Sequence, residues 1–336
     1  MQYSRNCSLL QYNTFGIDVT TSRFYRFDTT SELQDWARDI PDSGKGLVIG
    51  GGSNLLFTGN FNGTIILPDL KGREIVWDNG DEVWVRFSCG EVWDHCVEWA
   101  VSEGLSGIEN LSHIPGSAGA APVQNIGAYG VEISEMVEYV EGIYLDDGES
   151  FRLSGDDCHF DYRYSIFKGP LRDQTVITSV TLRLSRRHDF CLGYGSLKES
   201  VERRGQINLN NVRRTVIDIR RSKLPDPLEK GNAGSFFKNP FVTPHIYKEL
   251  KRDWPQMPGY ELPDSGMIKV PAGWLIEQAG WKGKNMGRAG VHSAQALVLV
   301  NMGGASGREI AQLARKIQTD VFRKFGIKLL PEVKII

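Results

Sequence analysis

A chain of 336 residues is long enough for about two domains, each with its own hydrophobic core. Its 39 basic and 41 acidic side chains leave a formal net charge of −2, which argues against a dedicated nucleic-acid or membrane-surface binder. The 40% hydrophobic and 24% charged composition argues against wholesale disorder. Glycine stands out, with 37 residues and no repeat, which indicates special turns or loops that approach a ligand closely.

The five cysteines are widely spaced and include no Cys-x-x-Cys pair. This pattern argues against a disulfide framework or a zinc site and favours a reducing compartment. The N-terminus has no basic-then-apolar leader, and no apolar run reaches the ~18 residues of a membrane span. The six histidines show no metal-ligand spacing. We therefore expect a cytoplasmic protein without a metal site, membrane insertion or a nucleic-acid partner.

The first part of the chain alternates between helical and strand patterns. In order, it predicts a helix over 31–40 ended by Pro41, strands over 46–50 and 65–67, a hairpin of strands 74–77 and 82–87 around Asn79–Gly80, and a helix over 92–103 ended by Gly104. The following stretch, 105–130, is rich in glycine and shows neither period. A long irregular segment inside a compact domain often binds a ligand.

Strands return after this segment and then give way to helices. The patterns predict strands over 137–145, 150–153 and 174–184, helices over 196–204, 212–222, 243–254 and 308–325, and two late strands over 294–301 and 329–336. The change from strand-rich to helix-rich patterns predicts a domain boundary between about 186 and 206.

Three consecutive glycines, Gly50–Gly52, follow a predicted strand and precede Ser53 and Asn54. Glycines in a row let backbone N–H groups approach an anion, as in a phosphate-binding nest. The spacing fits neither the dinucleotide-binding fingerprint nor a P-loop. On these residues alone, a tight strand-to-loop turn is an equally open interpretation.

The irregular segment contains two small-residue runs, 114–122 and 124–130. Small residues would let a flat ligand lie against the backbone, and Gln124 and Asn125 offer hydrogen bonds to the edge of a heterocycle. A compact surface loop remains the alternative.

Three single residues outside these runs could carry chemistry. Arg163, between Tyr162 and Tyr164, could hold a carboxylate or phosphate, or be a solvated arginine on a strand. Ser235 follows small residues in a tight backbone setting, although no histidine lies nearby to make it a nucleophile, and a structural turn is the alternative. Glu332 interrupts an apolar run, which indicates either a site acid or an edge strand.

Taken together, these motifs occur in the same order in one known family. They are Gly50–Asn54, Ile114–Ser117, Gln124–Gly130, Tyr162–Arg163 with Ser165–Lys168, Lys223–Pro227, Gly234–Pro240, Ala272–Ile276 and Pro331–Val333. Because these motifs are spread over nearly the whole chain, the chain resembles the UDP-N-acetylenolpyruvoylglucosamine reductase (MurB) family of bacterial peptidoglycan precursor synthesis.

The resemblance implies an α+β fold with a two-lobed FAD-binding unit of the p-cresol methylhydroxylase/vanillyl-alcohol oxidase type and a C-terminal α/β substrate-binding domain. It implies FAD-binding lobes over 1–68 and 69–205, a substrate-binding domain over 206–326, and a C-terminal strand over 327–336 that contributes Glu332 to the active site. The implied FAD-binding residues are Gly50, Gly51, Gly52, Ser53, Asn54, Pro115, Gly116, Ser117, Gly119, Gln124, Asn125, Ile126 and Gly127.

The activity that the resemblance implies is the reduction of UDP-N-acetylglucosamine enolpyruvate to UDP-N-acetylmuramate, with NADPH as reductant and non-covalent FAD as hydride carrier. Hydride addition to the vinyl carbon leaves charge on the carboxylate. In the family pattern Arg163 stabilises this charge, Glu332 polarises the carboxylate and Ser235 donates a proton to the adjacent carbon. We expect the chain to act as a monomer.

The resemblance also implies contacts to the diphosphate part of the substrate or of NADPH. They would come from Tyr194, Lys223, Asn239, Tyr260 and Gln295. Tyr260 stands in a segment, 258–266, that resembles the closing loop of the longer subtype, whose closure would exclude water. One departure is Tyr164, where the family often has aspartate, and it leaves the pairing of Arg163 open.

Two other functions remain to be weighed. A flavin oxidase of alcohols would share the fold but is disfavoured by the Ser235 and Glu332 motifs, and oxygen-dependent turnover of an alcohol would favour it. A catalytically inactive sugar-nucleotide-binding protein is disfavoured because Arg163, Ser235 and Glu332 are all present.

Overall fold

The computed structural model describes residues 1–39, 46–262 and 265–336. The predicted helix end at Ile40 and Pro41, and Pro263 and Asp264 of the 258–266 loop, lie outside the described residues. The chain forms two compact units. Unit 1 comprises Met1–Cys7, Thr21–Gly52 and Phe61–Arg220, and unit 2 comprises Ser8–Thr20, Ser53–Asn60 and Arg221–Ile336.

The described elements are named in chain order. The strands are β1 (Gln2–Ser8), β2 (Thr20–Phe27), β3 (Gly46–Val48), β4 (Leu55–Leu56), β5 (Phe61–Pro68), β6 (Arg73–Asp78), β7 (Glu82–Ser88), β8 (Gly127–Ala128), β9 (Val131–Glu132), β10 (Val137–Tyr144), β11 (Ser150–Ser154), β12 (Thr175–Ser185), β13 (Asn232–Ser235), β14 (Phe241–Val242), β15 (Tyr260–Glu261), β16 (Ile268–Lys269), β17 (Asn285–Met286), β18 (Ala289–Val291), β19 (Val298–Asn301) and β20 (Lys334–Ile335). The α-helices are α1 (Thr30–Asp39), α2 (Trp93–Ser102), α3 (Leu197–Glu202), α4 (Leu209–Lys223), α5 (Pro244–Asp253), α6 (Ala272–Gln278) and α7 (Gly307–Phe325).

The first sheet of unit 1 has the strand order β1-β2-β5-β3, with β5 parallel to both β2 and β3. Helix α1 packs on it because Leu33, Trp36 and Ala37 recur at helical spacing and share a core with Phe27 and Ile66. Strand β3 leads directly into the Gly50–Gly52 loop.

The second sheet of unit 1 has the order β11-β10-β12-β7-β6 and is antiparallel throughout. The Asn79–Gly80 turn joins β6 and β7, as the sequence predicts. Helix α2 buries Trp93, Cys96 and Val97 in one core with the inward side chains of β7. The irregular segment contains short 3-10 turns, among them Glu109–Leu111 and Ala118–Ala120, and the two-residue strand β8.

Unit 2 contains an antiparallel sheet of order β13-β19-β18-β17, on which α7 packs. The apolar stripe of α7 is buried, and the helix begins with a reciprocal Ser306–Glu309 capping box and ends at Gly326 in the left-handed conformation. Smaller sheets join β14, β16 and β15, and β20 pairs in parallel with β4.

Several predicted elements are shorter in the structure. The strand expected over 294–301 is confined to Val298–Asn301, because Gln295 Oε1 accepts the Leu297 N–H at 3.3 Å and forms a turn before it. The terminal strand expected over 329–336 is confined to Lys334–Ile335. The first two strands and α6 carry no clear sequence period and were not expected.

The compact units also differ from the boundaries that the resemblance implies. Residues 206–220 belong to unit 1, whereas 8–20 and 53–60 belong to unit 2. The early segment joins unit 2 through backbone bonds such as Asn232 N–H to the Thr14 carbonyl at 2.9 Å. Pairing between residues so distant in sequence leaves no local pattern, and the predicted boundaries could not include it.

Candidate active site

The two predicted cofactor loops of unit 1 lie against each other. A Cβ on Gly51 would stand 3.1 Å from the Gly116 Cα, and one on Gly50 would overlap the Ser117 hydroxyl. Glycine at these positions therefore allows the Gly50–Gly52 loop to pack closely beside the Ile114–Ser117 loop.

Backbone donors collect where these loops meet. In the described ranges, the N–H groups of Gly51, Gly52 and Gly116 donate to no protein acceptor. Gly52 and Gly116 have positive φ values of 64° and 129°. A cluster of free backbone N–H groups on glycine loops suits a phosphate oxygen. The donor set therefore fits the diphosphate of a dinucleotide such as FAD.

Gly116 allows a direct test of this fit. Its φ of 129° is strained for any residue with a Cβ, so Gly116→Ala should displace the loop and weaken FAD binding by about tenfold or more. The measurement is an FAD titration of the flavin-free full chain. Gly193→Ala is the matched control, since Gly193 has open space around it and should bind FAD normally. Equal affinity in both variants would contradict the fit.

Gly119 and Asn125 are committed to contacts inside unit 1. The Gly119 N–H donates to the Cys89 carbonyl at 2.9 Å, and a Cβ there would lie 3.0 Å from the Cys89 Cα. The buried Asn125 amide donates to Glu132 Oε2 at 2.6 Å and to the Asp161 carbonyl at 3.2 Å, and its oxygen accepts the Ser134 N–H at 3.1 Å. The Asn125 side chain thus braces the loop through hydrogen bonds within the protein, and its contact with a heterocycle stays a prediction.

Arg163 is held rigidly over the same segment. It has a φ of 55° in a turn closed by mutual backbone hydrogen bonds between Asp161 and Tyr164, at 3.1 and 3.0 Å. Its guanidinium donates to the Gly127 carbonyl at 2.9 Å and to the Asn125 carbonyl at 3.3 Å. These bonds fix the direction of the positive charge before any ligand binds.

A carboxylate neighbour of Arg163 comes from β9 and was missed in the sequence. A Cβ on Gly127 would lie 2.9 Å from Glu132 Cγ and 3.2 Å from Arg163 Nη1, so both side chains flank Gly127. Glu132 thus lies beside Arg163 at Gly127. The sequence feature that could have revealed Glu132 is the Tyr129–Gly130 turn. A two-residue turn at this position makes a hairpin in which Gly127 pairs with Glu132.

Two tyrosines of unit 1 form an aromatic contact beside this segment. The rings of Tyr129 and Tyr194 are edge-to-face with centroids 5.8 Å apart. Tyr194 is exposed, whereas burial raises the pKa of Tyr129. Tyr129 has a φ of 52°, and the buried Asn110 amide anchors its carbonyl at 3.0 Å. Tyr129 belonged to a predicted motif but was not expected as a site residue.

In unit 2 the structure brings the Ser235 and Glu332 segments together. The Glu332 N–H donates to the Phe236 carbonyl at 2.8 Å, next to an antiparallel bridge between Phe237 and Pro331. The Asn54 side chain donates to the Glu332 carbonyl at 3.3 Å. Both Ser235 and Glu332 are partly buried, and both stand on segments whose backbones are fixed by these bonds.

Two of the predicted diphosphate residues also meet in unit 2. Asn239 Oδ1 accepts the Ala272 N–H at 2.9 Å, and Gln295 Oε1 would lie 3.1 Å from a Cβ on Gly273, so both reach the first turn of α6. Lys223 ends α4 and is exposed, and Tyr260 is exposed on β15. Ser53 and Asn54, predicted to bind FAD, belong to unit 2.

Comparison with known proteins shows the family to which this chain belongs. A family model described as UDP-N-acetylenolpyruvoylglucosamine reductase, C-terminal domain, matches residues 226–336, and one described as FAD binding domain matches residues 22–154. UDP-N-acetylenolpyruvoylglucosamine reductase of Bacteroides fragilis is 45% identical over 329 residues, covering 98% of each chain. The chain belongs to this reductase family.

Further relatives cover the whole length. The reductase of Flavobacterium johnsoniae is 43% identical over 339 residues and covers all of both chains, and that of Pseudomonas aeruginosa is 44% identical over 335 residues. The crystal structure of the reductase (MurB) from Thermus caldophilus aligns with a TM-score of 0.68 at 24% identity, over 99% of this chain and 98% of that one, and shows the shared fold.

Family membership confirms the predicted fold class and the use of FAD. The chain is an NADPH-dependent flavoenzyme that reduces UDP-N-acetylglucosamine enolpyruvate to UDP-N-acetylmuramate in peptidoglycan precursor synthesis. This decides against the oxidase and the inactive binding protein. Within the described residues, no helix is both long and apolar enough to cross a bilayer.

Proposed function

We propose that Arg163, Ser235 and Glu332 are the catalytic residues of this reduction. The observation that carries the proposal is the adjacency of the Ser235 and Glu332 segments in unit 2, where the Glu332 N–H bonds to the Phe236 carbonyl at 2.8 Å. A serine and a carboxylic acid on two fixed, neighbouring segments suit a reaction that needs a proton donor and a group that polarises a carboxylate.

In this proposal Arg163 stabilises the negative charge that develops on the substrate. When a hydride adds to the vinyl carbon of an enol ether, negative charge moves onto the attached carboxylate. A guanidinium already fixed by the Asn125 and Gly127 carbonyls needs no reorganisation as that charge develops. We propose that Glu332, in its protonated form, donates a hydrogen bond to the same carboxylate.

Ser235 has the part of proton donor to the carbon next to the site of hydride addition. A hydroxyl is a weak acid, but an enolate carbon is a strong base, and correct placement then matters more than acidity. Gly234, with a φ of 66°, sets the backbone turn that orients Ser235, and its N–H is held by Asn232 Oδ1 at 2.9 Å.

Hydride transfer from NADPH to the enolpyruvyl group is the chemistry that FAD would supply when bound. We propose that the glycine loops hold it, through the residues Gly50, Gly51, Gly52, Ser53, Asn54, Pro115, Gly116, Ser117, Gly119, Gln124, Asn125, Ile126 and Gly127. Among the described residues the N–H groups of Gly51, Gly52 and Gly116 have no protein acceptor, which supports this assignment for the diphosphate of FAD.

For the diphosphate of the substrate or NADPH we propose Tyr194, Lys223, Asn239, Tyr260 and Gln295. The common approach of Asn239 and Gln295 to the first turn of α6 supports the assignment of these two. We further propose FAD-binding lobes over 1–68 and 69–205, a substrate-binding domain over 206–326 with Glu332 on the last strand, a cytoplasmic location and a monomeric enzyme.

Product analysis tests the proposal. The full chain with FAD, NADPH and the enolpyruvyl sugar nucleotide should yield a product heavier by two hydrogen atoms, seen by mass spectrometry. Glu332→Gln should form the same product far more slowly while NADPH still reduces the flavin. An unchanged rate of product formation in Glu332→Gln would remove Glu332 from the catalytic set.

A further inference from the structure

The loop Ile114–Ser117 is entered through a residue in an unfavourable conformation. His113 has a φ of 59°, in the left-handed region that a side chain with a Cβ rarely adopts. The other end of the loop is held in place by backbone hydrogen bonds. The Trp93 N–H donates to the Gly116 carbonyl at 3.0 Å, and the Ala118 N–H donates to the Glu91 carbonyl at 2.8 Å. His113 needs another explanation.

Both backbone groups of His113 are held by charged side chains. Its N–H donates to Asp94 Oδ1 at 2.5 Å, and its carbonyl accepts from Arg220 Nε at 3.0 Å. Asp94 in turn accepts two bonds from Arg213, at 2.6 and 3.0 Å. Charge-assisted, bidentate bonds of this kind are strong and directional.

The three side chains form a unit that we call the His113 clamp: Asp94 from α2, and Arg213 and Arg220 from α4. Arg213 and Arg220 are seven residues apart and so face the same side of α4. The Arg213 side chain is only 10% exposed and that of Asp94 25%. Arg220 is half-buried, and burial lowers the pKa of its guanidinium.

The reaction as described assigns no role to these three side chains, although the charge of Arg220 interacts with Arg163 and Tyr129 of the candidate site. Asp94 and Arg213 neutralise each other, and Arg220 adds a further cation whose Nε bonds the chain immediately before the loop. Enclosed charges are costly unless they serve a structure or a ligand. Their common point is the backbone of His113.

We propose that Asp94, Arg213 and Arg220 are positioning residues for FAD, which hold His113 in the left-handed conformation and thereby fix the Ile114–Ser117 loop in its binding form. This inference rests on the proposed cofactor role of that loop. Asp94 and Arg220 bond the backbone of His113, directly before the loop, and through it the clamp would act on FAD by placing the Gly116 N–H.

The test is an FAD titration of the flavin-free full chain, with flavin fluorescence as readout. Arg220→Gln and Arg213→Gln should each weaken FAD binding by about tenfold or more, whereas Arg214→Gln, an exposed neighbour on α4, should bind normally. Asp94→Asn keeps an acceptor for the His113 N–H but loses the ion pair, so its effect should be smaller. It serves as the second variant if an arginine variant fails to fold.

Recovery of FAD affinity by a His113→Gly substitution distinguishes a role of the clamp in positioning the loop from a role in stabilising the fold. Glycine adopts a positive φ without strain, so in a His113→Gly background the loss caused by Arg220→Gln should shrink to within about threefold. A merely structural role would lower the melting temperature of Arg220→Gln with unchanged FAD affinity, and His113→Gly would rescue nothing. Either result would overturn the proposal.

The Gly116→Ala variant distinguishes this inference from the assignment on which it rests. If Gly116→Ala leaves FAD affinity unchanged, the loop does not hold the cofactor and the proposed site fails. If Gly116→Ala weakens binding while both arginine variants bind FAD normally, the loop assignment stands and the clamp alone is refuted.

Discussion

Replacing Ser235 by alanine should leave the reduction of the flavin by NADPH at its normal rate and slow its reoxidation by the enolpyruvyl substrate by about 10²–10⁴-fold. The reason is that only the second half-reaction needs a proton at carbon, and Ser235 is the proposed donor. Anaerobic stopped-flow spectroscopy measures the two halves separately.

The matched control for this variant is Ser4→Ala on the exposed strand β1, which should leave both half-reactions unchanged. The FAD content of the two variants should be equal, because Ser235 stands on β13 and not in the glycine loops. Normal reoxidation in Ser235→Ala would show that the proton comes from another group.

Replacing Arg163 by lysine should slow reoxidation of the flavin by about 10²–10³-fold although the charge is kept. Lysine cannot bond the Asn125 and Gly127 carbonyls in the fixed fork that the guanidinium uses, so its charge is not directed in advance. Rapid-mixing spectroscopy with excess substrate gives the rate, and substrate titration separates the maximal rate from affinity.

The variant should retain FAD. Loss of two hydrogen bonds to loop carbonyls should weaken FAD binding by less than about tenfold, since the backbone pairing of β8 with β9 remains. Arg315→Lys on the exposed face of α7 is the control and should behave as the wild type. A wild-type reoxidation rate in Arg163→Lys would mean that a positive charge alone stabilises the substrate carboxylate, without the guanidinium's hydrogen bonds to the loop carbonyls.

Local patterns predicted much of the secondary structure. The spacing of Ile310, Leu313 and Ile317 indicates the long helix α7, and Asn79–Gly80 marks the β6–β7 turn, because these signals lie within one or two turns of chain. The eight ordered motifs identified the family, and the full-length relatives confirm it.

Contacts between distant parts of the chain could not be predicted. The pairing of β20 with β4 joins two segments that are far apart in the sequence and that both belong to unit 2. For the same reason the His113 clamp was invisible: Asp94, His113 and Arg220 meet only in the folded chain. The sequence also could not show which polar side chains are already hydrogen-bonded within the protein. Asn125 is a residue type suited to binding a ligand, but its side chain bonds Glu132 and Ser134.

The most direct test of the account is the visible spectrum of the purified protein under anaerobic conditions. The account predicts a yellow protein whose flavin absorbance is bleached by NADPH and returns when the enolpyruvyl sugar nucleotide is added. A protein that takes up no FAD, or whose bleached flavin is left unchanged by that substrate, would contradict it.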